Sequence, residues 1–438
     1  MEEQMFKYYL KHRSFSFRRR RWRMRLIIMM MCFSCVANAQ TTLNDILNTI
    51  QKEHPQLKMY DAEIRSMDEA AKGARSWMPT DFGAGFWMTP YNPKMWKAGM
   101  KEVNGDQQPG MGSFMLSAQQ MFPNKKRQDA EAKYMEAMSS VEKERKNVTI
   151  NDLNAEAKKN FYEWIVIEKK LVVIAENEKV LNFMIKNAEI RYRNGMDKLS
   201  AYYKAKASLG KLQSMRIMLQ TDITNKRIAL NTLMKRSKTD TFTIDTTYTI
   251  KDYSTFFDTT TFAGARSDIK AIDRNIELTQ LQQDLEKAKL KPEFGIKYDH
   301  MFAWAKQPWQ FSLMAMAKIP FGRSTKMNKA NIESLKWKAQ SLNQQRQMIL
   351  NEATGMAYTM SIEINSRKRQ ISLYETNIIP ALRNNYKSMQ LAYEQNTQEL
   401  FMLFDAWETL NMTQVEYLNQ LQQLLLMQAE LDRILEVK

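Results

Sequence analysis

Cysteine is nearly missing from this chain. There are two in 438 residues, Cys32 and Cys35, and both lie close to the N-terminus. Histidine is almost as scarce, with His12, His54 and His300 making up the full set. A disulfide framework, thiol chemistry and a Cys/His metal cluster are therefore excluded for the bulk of the sequence. No HExxH, Gly-rich phosphate loop or GxSxG occurs, so the chain reads as a non-enzyme with no cofactor. Long apolar runs are also missing. The mean hydropathy is −0.54, and after Gln40 no stretch reaches the roughly 18 apolar residues of a membrane-spanning helix. If this chain enters a bilayer, it does so with strands. Proline is absent between Pro123 and Pro292, which suits long uninterrupted helix.

What is present begins with a leader. Arg18 to Arg21 with Arg23 and Arg25 form a basic region, "LIIMMMCFSCV" is a short apolar core, and "ANA" precedes Gln40. That is the plan of a secretory signal peptide over residues 1–39, with cleavage expected after Ala39. Met24 would serve equally as a start, because "MRLIIMMMCFSCVANAQ" is already a complete signal. The strongly apolar core favours general export over a twin-arginine route, and neither cysteine follows the small-residue pattern of a lipid-attachment site. Both cysteines leave with the leader. It also carries nine of the 65 Lys/Arg and two of the 48 Asp/Glu, so the formal charge falls from +17 to +10. The remaining charges are interspersed along helices, which argues against nucleic acid as a partner.

The rest is written twice. "HPQLKMYDAEI" at 54–64 echoes "RSDIKAIDRNI" at 266–276, "WMPTDFGAGFW" at 77–87 echoes "LKPEFGIKYDH" at 290–300, and "QMFPNKKR" at 120–127 echoes "AKIPFGRS" at 317–324. "IRYRNGMDKLSAYYKAKASL" at 190–209 echoes "LAYEQNTQELFMLFDAWETL" at 391–410. Four matches in one order define a repeat of roughly 200 residues. The first repeat spans 40–238, with strands at about 80–89 and 112–122 and a helical hairpin at about 124–236. A linker covers 239–265. The second repeat spans 266–438, with strands at about 293–304 and 309–319 and a hairpin at about 323–436. Pro79 and Pro292 mark helix-to-strand boundaries, and Pro123 and Pro320 strand-to-helix ones.

The strands alternate. Phe294, Ile296, Tyr298, His300, Phe302 and Trp304 share one face, with Glu293, Gly295, Lys297 and Asp299 on the other. Trp309, Phe311, Leu313, Ala315, Ala317 and Ile319 form the next apolar face. Phe82, Ala84, Phe86 and Met88, then Phe114, Leu116, Ala118 and Phe122, repeat the pattern in the first half. A half-buried soluble sheet would alternate in the same way, but the flanking helices look too long to fold back over so small a sheet. Four strands of about ten residues, with Trp87, Trp304 and Trp309 near their ends, match transmembrane barrel strands. The helix from about Lys125 to Arg193 would run on the order of 100 Å. Its counterpart starts near Lys326, and Pro380 predicts a kink or break near Asn377. The polar breaks at Asn194-Gly195 and Asn396-Thr397 read as the tips of the two hairpins, since glycine and then asparagine best tolerate a left-handed turn.

These residues resemble the outer-membrane efflux protein family, the TolC-like channels. "TLNDILNTIQKEHPQLK" at 41–57 is similar to the family's opening helix, and the stretch from Ile378 to Leu410 is similar to its second hairpin, including Pro380, Tyr393 and Asp405-Ala406. The resemblance covers nearly all of the chain after Gln40 and rests on the ordered repeat more than on any single motif. It implies an α+β membrane protein whose homotrimer pools four strands per chain into a twelve-stranded outer-membrane β-barrel, in contact with outer-membrane lipid and continued by a periplasmic α-helical barrel. Strand count alone demands pooling, because open sheet edges are not tolerated in hydrocarbon. The implied function is a passive exit duct of a tripartite efflux or type I secretion system. Its implied partners are a periplasmic adaptor and an inner-membrane transporter of the RND type. The rival reading is a periplasmic coiled-coil adaptor or structural protein.

The resemblance also implies a periplasmic gate at the hairpin tips. Efflux members carry two acidic residues there, one turn apart; this chain has Asp405 at the second position and Met402 at the first. In one branch of the family a Tyr and an Arg of the second hairpin bond a Thr and an Asp of the first. Here the four positions hold Tyr393, Gln398, Ser200 and Ala201, so most of that lock is missing and closure must rest on other contacts. On periodicity alone Asp405 is a solvated helix residue and Met402 a packing residue. Methionine is abundant, with 33 residues, six of them in the leader. Soft thioethers suit Cu(I), and some relatives export copper or silver. A compositional bias is preferred, because the methionines are spread along the chain rather than paired.

Overall fold

The computed structural model describes residues 40–97, 110–196, 198–253, 259–304 and 307–436. The leader at 1–39 and residues 98–109, between the first two expected strands, lie outside the described residues. Helix α1 (Leu43–Glu53) and helix α2 (Pro55–Lys72) lead to strands β1 (Asp81–Trp87) and β2 (Ser113–Phe122), then to the 69-residue helix α3 (Lys125–Arg193) and to α4 (Leu199–Leu233). The order then repeats. Helices α5 (Thr259–Ala265) and α6 (Ser267–Ala288) precede β3 (Glu293–Ala303) and β4 (Gln310–Lys318), followed by α7 (Lys326–Leu373), α8 (Ile379–Glu394) and α9 (Leu400–Leu435). The linker expected at 239–265 thus contains the short helix α5.

Contacts group the chain into two compact bodies, neither of which coincides with a sequence repeat. One comprises Gln51–Glu156, Lys251–Gln370 and Met427–Lys438; the other takes the chain up to Ile50, Ala157–Ile250 and Ile371–Leu426. Each body draws segments from both repeats.

The first body holds the sheet. Its order is β1-β2-β3-β4, all antiparallel, so β1 and β4 each keep one unpaired edge among the described residues. Register continues the alternation across all four strands: Phe86, Phe114 and Phe302 lie in one row, and Ala118, Tyr298 and Leu313 in another. This aromatic and aliphatic face is open to the surroundings, with Phe82 82 %, Phe311 71 % and Leu313 69 % exposed. The opposite face carries Glu293 and Asp299, 8 % and 3 % exposed. Lys297 Nζ stands 3.0 Å from the Asp299 carboxylate. A sheet packed on a soluble core would have the reverse arrangement. Aromatic rings cluster at both ends of the strands. Trp96 stacks on Trp304 at 5.6 Å beside Phe86, and Trp77 meets Phe122 edge-on at 5.2 Å.

Local chemistry sets the helix starts. Asn124 follows Pro123 and caps α3, its Oδ1 accepting from the Lys126 amide at 2.9 Å. Arg127 in the same turn pairs with Glu293 at 2.5 Å, tying the foot of α3 to the start of β3. His54 occupies the N-cap of α2 without a side-chain capping bond, ahead of Pro55. The interruption expected near Asn377 is a π turn, Tyr374–Ile378, through which the helix continues unbroken into α8. Proline has no amide hydrogen and its ring crowds the carbonyl four residues back, so one extra residue in the preceding turn relieves both problems.

Candidate functional site

The second body contains the two hairpin turns, and they close alike. After α3 the Met196 amide donates to Arg191 O at 2.8 Å and the Gly195 amide to Tyr192 O at 2.9 Å, with Gly195 at φ +70°. After α8 the Thr397 amide donates to Ala392 O at 2.9 Å and the Asn396 amide to Tyr393 O at 3.1 Å, with Asn396 at φ +59°. Both ends are the paired-bond closure in which one left-handed residue satisfies the last helical carbonyls. Asn194, Gly195, Asn396 and Thr397 all lie exposed in these turns.

Below the tips the two hairpins share one core. Ile174, Leu181, Met184 and Leu212 of the first pack with Leu400, Leu403, Phe404 and Trp407 of the second. A buried hydrogen bond crosses it, Trp407 Nε1 donating to Asn177 Oδ1 at 2.7 Å, while Asn177 Nδ2 donates to Val173 O at 2.8 Å. Satisfying both ends of that amide inside an apolar core fixes the register of α3 against α9.

Nearer the tip, Arg191 bridges the hairpins. Its guanidinium lies 4.6 Å from the centre of the Tyr393 ring, and its Nη1 donates to Asn396 Oδ1. Tyr393 is 2 % exposed and belongs to the shared core. Lys204 sits 4.3 Å from the ring centres of both Phe401 and Phe404. Ser200 and Ala201 stand at the start of α4, where they line an open groove with Lys198, Lys204, Glu399 and Phe401. Gln398 is exposed in the turn before α9. Asp405 is exposed on α9, and Met402, three residues earlier, is 45 % exposed. That spacing puts the two on one side of the helix. Farther along, Tyr417 donates to the Glu375 carboxylate at 2.7 Å and so ties the π turn to α9. Burial first, then that bond, push the Tyr417 hydroxyl far above its usual range.

The structure therefore brings Tyr393 into the inter-hairpin core, Ser200 and Ala201 into the groove, and Asp405 with Met402 onto an exposed face. Sequence reasoning missed Arg191 and Asn177. Each acts on a residue more than 200 positions away, and no local pattern marks such a pair. The position facing the second-hairpin tyrosine is filled by an arginine of the first hairpin, so the cation comes from the opposite side to the one the resemblance implies.

Neither a known family model nor a curated protein sequence matches the chain. Solved structures do. The outer-membrane channel OprN superposes with a TM-score of 0.72 at 14% identity, over 90% of this chain and 89% of that one. The outer membrane protein VceC of Vibrio cholerae gives 0.68 at 15% identity, covering 90% and 95%. The open state of the Neisseria gonorrhoeae MtrE outer membrane channel gives 0.69 at 11% identity, covering 90% and 88%. At these identities the likeness is one of fold: long helices in repeated order with a small antiparallel sheet, as in TolC-like channels.

Proposed function

We propose that this chain is the outer-membrane exit duct of a tripartite efflux or type I secretion system. One observation carries the reading: a four-stranded sheet that turns its aromatic face outward, buries Glu293 and Asp299 on the other face, and leaves two edges unpaired. A bilayer accepts such a sheet only when its edges are closed. Three copies joined β4 to β1 would give twelve strands, within the range of natural barrels. The aromatic clusters at both strand ends match the girdles of membrane barrels. A periplasmic coiled-coil adaptor has the helices but no use for this sheet.

In this assembly the helices form the periplasmic conduit, which works with a periplasmic adaptor and an inner-membrane transporter of the RND type. Transport is passive and no residue is catalytic. The gate lies at the hairpin tips. The Arg191 contacts to Tyr393 and Asn396 hold the two hairpins of one protomer together, and Asp405, with Met402 one turn before it, faces the lumen. The test is cell fractionation followed by detergent extraction. We expect an outer-membrane protein that runs as a heat-modifiable trimer; recovery as a soluble periplasmic monomer would end this reading.

A further inference from the structure

Within the sheet, methionine follows the alternation. Met115 and Met121 of β2, Met301 of β3, and Met314 and Met316 of β4 all share the face that carries Asp299 and Lys297. Among the described strand residues the aromatic face has no methionine. The methionines that looked scattered in sequence are therefore partly paired. Register sets Met115 directly opposite Met301, and it sets Met121 and Met316 on the two sides of Gly295. A Cβ added at Gly295 would collide with Met121 Sδ. The Met121 thioether thus lies over the glycine, in the space that Met316 borders from the next strand.

Packing explains Met121, which fills the space over Gly295, but it does not call for methionine at the other four positions. Ser113, Ser117 and Gln119 share the face with the methionines, and Met314 is 42 % exposed. A wall that needs only polarity takes serine or glutamine, and one that needs apolar bulk takes leucine. The distinctive property of methionine is a soft, polarizable sulfur on a flexible stem. Thioethers select soft ions such as Cu(I) over hard cations.

We propose, resting on the exit-duct reading, that this face of the sheet binds a soft monovalent metal ion, Cu(I) or Ag(I), at two stations. The inner station is Met121 and Met316 over Gly295. The second is the Met115–Met301 pair, six residues or about 20 Å along β2, with the Asp299 carboxylate two residues from Met301. Neutral thioether donors hold such an ion weakly, as release from a duct requires.

Ag(I) is the probe, because it does not change oxidation state under the assay. The detergent-extracted assembly is dialysed to equilibrium against Ag(I), and bound metal is counted by mass spectrometry. We expect saturable uptake of about two ions per chain that excess Zn(II) does not displace. Met121→Leu with Met316→Leu should weaken uptake at the inner station at least tenfold. Met115→Leu with Met301→Leu should do the same at the second station. Met348→Leu, at an exposed helix position, should change nothing. Leucine nearly conserves volume, so the barrel should persist, and heat-modifiable migration checks that it does. Uptake that survives both double substitutions overturns the proposal. So does unchanged uptake accompanied by loss of binding of an apolar fluorophore, which would make the thioethers a plain apolar lining. An intact outer-membrane trimer that takes up no Ag(I) refutes the metal stations alone, whereas a soluble monomer refutes the duct itself.

Discussion

Replacing Arg191 with glutamine should loosen the hairpin tips. The substitution removes a cation placed 4.6 Å from the Tyr393 ring centre and the donor to Asn396 Oδ1. A cation–π contact contributes ~0.5–1 kcal/mol when exposed and more when desolvated. A hydrogen bond to a charged group adds ~1.5–3 kcal/mol. Arg191 is only half-buried, so the low end of each range applies. A combined ~2 kcal/mol corresponds to about a 30-fold shift in the closed-to-open ratio of one protomer. Single-channel recording of the reconstituted protein should show longer and more frequent openings in Arg191→Gln. Asn396→Gly is the matched partner variant. Glycine keeps the φ of +59° that alanine would strain, and it removes only the acceptor. If the two residues act through one contact, the double variant should be little worse than Arg191→Gln alone. Unchanged gating in Arg191→Gln with the trimer intact, or a coupling below about 0.3 kcal/mol in the cycle, would refute the clamp.

Three other outcomes are expected. Asp405→Asn should reduce both cation preference and block by a trivalent cation, because the proposed trimer would set three Asp405 carboxylates around one axis and such a ring favours multivalent ions; unchanged currents would make Asp405 a surface residue. Trp407→Phe should cost about 1–3 kcal/mol in chemical unfolding, since it leaves the buried Asn177 Oδ1 without its 2.7 Å donor; a cost under about 0.5 kcal/mol would show the bond to be dispensable. His54 is held below the usual histidine range, mainly by burial and against the opposing pull of Glu156. The unfolded chain therefore binds its proton first, and stability falls as pH drops below about 6.5. His54→Asn should supply the missing cap of α2, raise stability by about 1 kcal/mol, and flatten that part of the pH profile; an unaltered profile would assign it to other groups.

Much of this architecture was legible because it is periodic. Pro123 and the Asn194-Gly195 break gave α3 its limits, and alternation gave the strands within two residues at either end. The turn at Gly195 and Asn396 was legible for a different reason: few residues tolerate that backbone, so identity reveals conformation. The tip contacts were hidden. Arg191 sits in a polar segment where an arginine is unremarked, and Asn396 is 205 residues away. The methionine face could have been found from parity, since Met115, Met121 and Met301 share odd positions with Asp299, but counting methionines over the whole chain averaged that signal away. At Pro380 the residue marked the right place, near Asn377, and the interruption there takes the form of a π turn rather than a helix end.

The two free edges of the sheet are unlike one another, and this has a genetic consequence. In the proposed ring β1 of one chain meets β4 of the next, a head-to-tail contact in which every subunit uses two different surfaces. A chain damaged only along β4 would keep a sound β1. It could still join a normal neighbour, occupy that neighbour's β4, and leave the circle unclosed. Co-expressed with the intact chain, such a variant should act as a dominant poison of assembly. A chain damaged along both edges should be excluded from rings and behave as a recessive null.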